Sequence, residues 1–566
     1  MTSLQKIKSN LKQLISARCA DLGYQVDVEF IKTQSAEHGD FSTNAAMKVA
    51  KANQQNPIEL ATQIVSSLVL PDEIKKAEIA GPGFINFTLS KEFLLETLSS
   101  NLIPTEEVDP RLVIVEYSQP NVAKPLGIHH LLSTVIGQSV FNLLKAVGYN
   151  VFAWNYIGDW GTQFGKLIYA YKNWGDKNLI EKDPIKSLLT LYVEFHEKAE
   201  NDPTLEDLGR AEFKKLEEGD LENRKIWEWV IEVSKKDFMQ LYELLGGINF
   251  DTFSGESSLE NYLPELLQEG KDLGIFVHGE KDSFIVNLEK QNLPPLLVQK
   301  SDGATLYATR DIASVKFRIQ NYNPQKIIYV VDVAQSLHFK QFFAVSKMLP
   351  WYNNDLELHH LSFGRMSFKD KKMSTRKGNI IYLEEVISEA IERSMKIIEE
   401  KNPNIKNKNE IARTVGIGSL KYSVLMQSPD TNIIFDWDKI ITFDGNSAPY
   451  LQYTYARAKS ILRQNTHEII IAKYTEFNND EENILRHFAK FGETVSEAAT
   501  KYKPNILATY LFELAQLFNS FYAKYKVNAE TVPEIRNFRL CLVQKTAEAI
   551  KSGLHLLGGI EVVEEL

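Results

Sequence analysis

The sequence predicts a multidomain α/β protein. It has a small N-terminal α+β unit, a doubly wound parallel-sheet domain carrying an insertion, and an all-α C-terminal bundle. Three observations carry this prediction. The chain has 566 residues, too many for one hydrophobic core. A strand–helix–strand pattern with short connections occurs at residues 112–157 and again at 327–363, the mark of parallel pairing. Beyond residue 383 every segment reads as helix.

Residues 1–105 form the first unit. Leu4, Ile7, Leu11 and Leu14 line one helix face. Glu37-His-Gly-Asp-Phe-Ser-Thr-Asn-Ala-Ala is a loop leading into a second helix, and Gly81-Pro-Gly-Phe-Ile-Asn-Phe is a turn feeding an alternating strand. A polar stretch bracketed by Pro104 and Pro110 reads as a linker. The second domain covers 106–385. It starts with a continuous apolar strand at 112–115, of the kind buried on both faces. A helix follows with Leu131, Val135, Ile136, Val140, Leu143, Leu144 and Val147 at helical spacing, and it stops at Gly148. Residues 151–157 are the next strand. Residues 171–294 lose this rhythm and read as an insertion, helix-rich at first and strand-like near 284–287. The pattern resumes with strands at 327–331 and 356–363 around a helix at 335–348. A helical connector, 386–446, leads to a terminal domain, 447–566. Predicted helices at 383–401, 448–463, 481–501, 504–525 and 538–557 make the bundle.

Composition narrows the function classes. With 44% hydrophobic and 24% charged residues the chain is ordinary globular material. Its apolar runs fall short of the roughly 20 residues that span a bilayer, and the N-terminus has no apolar leader core. A cytoplasmic location is therefore expected. The only cysteines, Cys19 and Cys541, support neither a disulfide framework nor a cysteine-rich zinc site, and no protein-held metal is expected. A net charge of −10 limits non-specific binding to nucleic acid but leaves room for a local basic track. The acidic excess between Glu194 and Glu222 reads as a solvated helical face.

Two short stretches carry chemistry. Glu116-Tyr-Ser-Gln-Pro-Asn-Val-Ala-Lys-Pro-Leu-Gly-Ile-His-His130 follows a strand and opens a helix. A βα turn of this kind sets free N–H groups and the positive helix end over the carboxyl edge of the strands, where a polyphosphate binds. His129 and His130 would add donors there; in isolation they read equally as polar residues at a helix start. The second stretch is Lys372-Met-Ser-Thr-Arg-Lys-Gly378, in a run with six basic residues against one acidic from Arg365 to Lys377. A closing loop of cations can neutralise charge developing on phosphorus; alone it reads as a solvated basic loop.

Together the stretches resemble the paired nucleotide signatures of class I aminoacyl-tRNA synthetases, and the flanking residues resemble the arginine-specific family. These are Asn121-Val-Ala-Lys-Pro, Gly158-Asp-Trp-Gly-Thr-Gln-Phe-Gly165 and Asp302-Gly-Ala-Thr-Leu-Tyr-Ala-Thr-Arg-Asp311. The similarity runs from about residue 35 to the C-terminus and is weakest across 171–294. It implies a Rossmann-like catalytic domain that ligates L-arginine to tRNA(Arg) through an arginyl-adenylate, with ATP as substrate accompanied by Mg2+. The signatures imply ATP contacts at Gly127, Ile128, His129, His130, Lys372, Met373, Ser374, Arg376 and Lys377, with Lys372, His130 and Lys124 closest to the chemistry. The chain departs from the family's His-small-Gly-His pattern: Gly127 stands where a histidine is usual and His129 where a glycine is usual. Arg376 replaces the second signature lysine.

A guanidinium calls for planar, bidentate carboxylates. By resemblance Glu116, Tyr307 and Asp311 would hold it, Asn121 and Gln335 the α-amino end, with Ser118 a further arginine contact. Phe84 and Asn86 would meet the tRNA elbow, though Phe84 reads equally as strand core. Tyr450 and Arg457, seven apart on one helix face, and Tyr522 would meet the anticodon. The chain ends Val-Glu-Glu-Leu566 where the family usually ends on methionine. A monomer is expected. Two alternatives remain open at this level. A class I enzyme for another amino acid would leave the acidic pair unpaired. A tRNA-binding relative without catalysis fits Gly127 but not the lysine-rich loop.

Overall fold

The computed structural model describes residues 3–33, 38–103, 109–369, 381–465, 468–470 and 474–566. The second signature, 372–378, and most of the linker lie outside them.

The N-terminal unit runs α1 (Ser3–Asp21), β1 (Phe30–Lys32), β2 (Phe41–Thr43), α2 (Ala45–Asn53), α3 (Pro57–Ser66), β3 (Ile74–Ala80), β4 (Phe84–Leu89) and α4 (Lys91–Glu96). Its antiparallel sheet has the order β1-β2-β4-β3. Leu4, Ile7, Leu11 and Ile15 of α1 are buried, so the apolar stripe inferred from spacing is the core face, with Ile15 rather than Leu14 closing it.

The central domain starts with β5 (Asp109–Glu116), α5 (His129–Ala146) and β6 (Tyr149–Ile157). Helices α6 (Thr162–Trp174), α7 (Lys177–Lys182), α8 (Pro184–Asn201), α9 (Thr204–Glu217) and α10 (Leu221–Leu245) follow. Then come β7 (Thr252–Gly255), α11 (Leu263–Asp272), β8 (Val277–His278), β9 (Phe284–Val286), β10 (Leu296–Gln299) and α12 (Tyr307–Tyr322). The last segments are β11 (Lys326–Asp332), α13 (Ser336–Ser346), β12 (Glu357–Phe363) and β13 (Met366–Phe368). The main sheet, β12-β11-β5-β6-β7, is parallel throughout. The apparent insertion is therefore not uniform: β7 returns to the main sheet, pairing with β6, and only β8–β10 form a separate small sheet. Four residues are too few to show a strand period in sequence.

The C-terminal part holds α14 (Leu383–Lys401), α15 (Lys408–Leu425), β14 (Ile433–Phe435), α16 (Trp437–Ile440), α17 (Ala448–Gln464), α18 (Asn479–Ala489), α19 (Phe491–Thr500), α20 (Pro504–Lys524) and α21 (Pro533–Leu556). Two expectations fail here. The region is not wholly helical, because β14 pairs in parallel with β13, Met366 opposite Ile433, a partner distant in sequence that no local pattern reveals. The helix expected over 481–501 is two, broken at Lys490, whose amide reaches back to His487 O at 3.0 Å in a tightened turn.

The N-terminal unit is docked on the bundle by ionic ties. Asp40, in the Gly-Asp-Phe run, accepts from the Leu89 amide at 2.8 Å and pairs with Arg486 of α18. Lys8 reaches Glu493 of α19 at 2.6 Å. Beside this joint, His487 stacks on Tyr510 with centroids 4.0 Å apart and Nε2 2.9 Å from Tyr510 O. Burial pushes its pKa down to about 4. The unfolded chain, with a histidine pKa near 6.5, takes up a proton that the folded imidazole does not. The stability from this group is thus present above about 6.5 and is lost as pH falls toward about 4. Thermal midpoints measured against pH should show this acid limb, and His487→Gln should flatten it; an unchanged limb would remove the assignment.

Candidate active site

The carboxyl end of β5 and the N-terminus of α5 meet in the loop 117–128. Three of its non-glycine residues, Ser118 (φ 76), Gln119 (φ 52) and Ala123 (φ 63), adopt left-handed backbone, a costly conformation that surrounding contacts must enforce. Those contacts are present. The Ser118 amide donates to Ser133 Oγ at 2.9 Å, and the Ala123 amide to Ser234 Oγ of α10 at 3.0 Å. Val122 N donates to Gly158 O at 3.1 Å, and Gly158 N to Pro120 O at 3.0 Å. A Cβ on Gly158 would lie 2.4 Å from Asn121 Oδ1, so a larger residue there would make the Asn121 side chain turn away.

At the start of α5, the Gly127 amide donates to His130 Nδ1 at 3.1 Å. The same Nδ1 lies 3.2 Å from Gly127 O, so either neutral tautomer finds a partner there. Burial, with His129 beside it, pushes the His130 pKa down to about 3, so the ring is neutral at physiological pH. His129 is exposed, its ring centroid 4.0 Å from that of His130. Ile128, which precedes the helix, makes no side-chain cap; the His130 and Leu131 amides instead close back on Gly127 O and Ile128 O, each at 3.0 Å, in a tightened first turn.

The residues just after the lysine-rich stretch come back to this point. Ile128 N donates to Ile381 O at 2.9 Å, and Leu383 N to Leu126 O at 2.8 Å. Gly127 and Tyr382 form an antiparallel bridge. The first signature is therefore strapped to residues 381–383; Lys372, Met373, Ser374, Arg376 and Lys377 lie outside the described residues.

Lys124 is half-buried, its Nζ 4.6 Å from the Tyr192 ring of α8, and burial lowers its pKa. Asn121 and Gln335 are exposed; Gln335 ends a single 3-10 turn after β11. Asp311 of α12 keeps Oδ2 2.5 Å from His338 Nε2. Tyr307 stands 72% exposed at the first turn of α12. It lies on the rim of a cavity of about 800 Å³ shared with Trp160, Tyr192, Glu256 and Arg310. Burial pushes the Glu256 carboxyl up to about 8.

Two nominated arginine contacts are already engaged. The Ser118 hydroxyl, 2% exposed, lies 2.6 Å from Tyr242 OH and accepts from Thr134 Oγ1 at 2.9 Å. Glu116, 5% exposed, accepts from Gln119 Nε2 at 2.8 Å and pairs with Arg318 of α12. Burial drives the Glu116 carboxyl up while Arg318 and Gln119 oppose it. Because the Arg318 guanidinium stays protonated, we take the pair as ionised. Arg318 and His338 were missed in sequence. The signal for Arg318 was its place seven residues after Asp311, two turns on along one helix face.

Of the tRNA candidates, Tyr450, Arg457 and Tyr522 converge. Arg457 Nη1 donates to Asn519 Oδ1 at 2.6 Å and its guanidinium lies 5.6 Å from the Tyr522 ring. Asn519 Nδ2 donates to Tyr450 OH at 3.0 Å. Exposed Tyr453 joins them, 4.8 Å from Arg457. In the N-terminal unit Phe84 is half-buried and Asn86 is buried, 7% exposed. Among the described residues no group of three or more His, Cys, Asp or Glu side chains is placed to hold a metal ion, and no helix is long and apolar enough to cross a membrane.

A parallel sheet whose first βα turn is strapped to residues 381–383 fits a class I aminoacyl-tRNA synthetase, and the matching family models show that class. Residues 95–437 match "tRNA synthetases class I (R), catalytic domain", 451–566 the DALR anticodon binding domain, and 5–89 the arginyl tRNA synthetase N terminal domain. An arginine--tRNA ligase of Fusobacterium nucleatum is 42% identical over 545 residues, covering 94% of each chain. One of Alkaliphilus metalliredigens is 37% identical over 567 residues, covering 98% of this chain and 99% of that one. The chain belongs to the arginyl-tRNA synthetase family. Its fold matches arginyl-tRNA synthetase structures from Plasmodium falciparum (TM-score 0.83, 24% identity, 99% of both chains) and Thermus thermophilus (TM-score 0.81, 24% identity, 99% of this chain and 100% of that one).

Proposed function

We propose that this chain activates L-arginine with ATP as arginyl-adenylate, releasing pyrophosphate. It then passes the arginyl group to the terminal adenosine of tRNA(Arg), releasing AMP. The observation that supports this most is the strap between residues 126–128 and 381–383, which joins the helix N-terminus to the root of the cationic loop.

In this reading an α-carboxylate oxygen of arginine attacks the α-phosphorus, and the bond to the bridging oxygen of pyrophosphate breaks. The His130 ring and the positive end of α5 face the charge that grows on phosphate oxygens. Lys372, Arg376 and Lys377 close over the departing pyrophosphate, and Mg2+ accompanies ATP. The guanidinium meets Asp311 near the base of α12, with Tyr307 above, and Asn121 and Gln335 take the α-amino end. Lys124 lies on the approach to the phosphates. The Tyr450–Arg457–Tyr522 cluster takes unstacked anticodon bases, while Phe84 and Asn86 serve the elbow. The protein acts as a cytoplasmic monomer.

Exchange of labelled pyrophosphate into ATP tests the reading. It should require arginine and should need tRNA(Arg), as the family resemblance implies. Exchange supported by another amino acid would overturn the specificity, and strong exchange without tRNA would remove the coupling.

A further inference from the structure

Helix α10 runs straight into Gly246-Gly247, and α21 is followed, one residue on, by Gly558-Gly559. All four glycines take left-handed backbone, with φ between 70 and 72, which other residues resist. The two turns lie back to back. A Cβ on Gly247 would stand 3.6 Å from Gly559 Cα, and one on Gly559 3.5 Å from Gly246 O. Lys421 of α15 enters between them, fully buried. Its Nζ donates to Gly246 O, to Gly558 O at 2.7 Å and to Gly559 O at 3.2 Å. All three partners are main-chain carbonyls beyond helix C-terminal ends, where the helix dipole favours a cation. Burial pushes the Lys421 pKa down to about 7 while Glu561 opposes. Below that pH the amine has three N–H donors for three carbonyls.

What Lys421 grips on one side leads to the first signature. Just past Gly247, Asn249 O lies 2.8 Å from Tyr117 OH, and Asn249 N donates to Gln138 Oε1 of α5 at 3.1 Å. Within α10, Tyr242 OH lies 2.6 Å from Ser118 Oγ, and Ser234 Oγ accepts from the Ala123 amide at 3.0 Å. Ser118 and Ala123 are left-handed, so their shape depends on outside partners. On the other side, the terminal segment is held by α17, the helix of Tyr450 and Arg457. Gln452 Nε2 donates to Glu561 O at 2.8 Å, and Arg463 Nη1 to Glu564 O at 3.0 Å.

We propose that Lys421 is a positioning residue for arginine activation. It clamps the end of α10 to the end of α21, and α10 so fixed holds residues 117–123 in their left-handed shape. The terminal segment 558–566 thereby supports a loop far from it in sequence. The activation step rests on the functional reading above; the clamp and what it holds do not.

The test compares the intact wild type with Lys421→Met, Tyr242→Phe and the double variant, and with Gly559→Ala, below the Lys421 pKa and well below each thermal midpoint. Amide hydrogen exchange, read without substrates, should quicken about 10-fold or more across residues 117–123 in Lys421→Met, because hydrogen bonds from a charged group are lost. Single-turnover formation of arginyl-adenylate with tRNA(Arg) should slow by about 10-fold or more as the loop loses its placement. The KM for tRNA(Arg) should stay within about two-fold of wild type. Lys421→Met and Tyr242→Phe should be less than additive in exchange at 117–123, since both cut one line of support. Gly559→Ala keeps the lysine but strains its turn; it should show the same pattern at smaller size, and it carries the test should Lys421→Met fail to fold. Faster exchange confined to residues 245–249 and 556–561, or strictly additive effects, would make Lys421 a local brace and overturn the proposal. So would slower activation with unchanged exchange at 117–123, or a KM for tRNA(Arg) that rises while the activation rate holds. A wild type that forms no arginyl-adenylate overturns the functional reading, and the exchange measurement still decides what Lys421 holds.

Discussion

Lys372→Ala is expected to slow formation of arginyl-adenylate by about 10²–10³-fold, the range seen when one donor to a developing oxyanion is removed. The KM for arginine should change little. The reason is timing. The negative charge that Lys372 meets grows only as pyrophosphate leaves, so its contribution is larger in the transition state than in the bound substrates. The strap at 381–383 places the root of its loop against Gly127 and Ile128, at the helix end where phosphate would sit. Single-turnover measurement of adenylate formation separates this step from product release. If the variant instead keeps its activation rate and loses only tRNA affinity, the loop is an RNA clamp and the catalytic reading of this segment fails.

Asp311→Asn is expected to lower kcat/KM for arginine by about 10²–10³-fold, since stripping one partner from a desolvated charge pair costs about 3–5 kcal/mol. The fold should survive. The side chain is partly exposed, and an asparagine oxygen can still meet His338 Nε2, now 2.5 Å from the carboxylate. Citrulline, the uncharged counterpart of arginine, provides the contrast. The preference for arginine over citrulline should narrow sharply in the variant, because the lost term is charge. An unchanged preference would move the guanidinium site away from Asp311.

Much of the fold was legible because its signals are local. The strand at 112–115 is apolar on both faces and became β5 at the centre of the sheet. The helix opened by His129 and His130 carries its apolar residues at the spacing that a packed helix requires. The helix expected over 383–401 is α14, Leu383–Lys401. What escaped is what depends on a distant partner. β7 and β14 are four and three residues long and become strands only because β6 and β13 lie beside them. The break at Lys490 is a single tightened turn that a continuous helical periodicity conceals.

The candidate site divides along the same line. The class of reaction was legible through the family resemblance that the sequence carries, in a βα turn with histidines and a lysine-rich stretch after a strand, and that resemblance also singled out the carboxylates expected to meet a guanidinium. It also marked Tyr450, Arg457 and Tyr522, which do come together around Asn519. Only the tertiary structure decided which polar groups remain open. Ser118 is committed to Tyr242, 124 residues away, and Glu116 to Arg318, 202 residues away. A buried polar group must find a partner or lose much of its solvation free energy. Which partner it finds is settled by how helices and strands pack across the whole domain, and that packing has no counterpart in the order of residues along the chain.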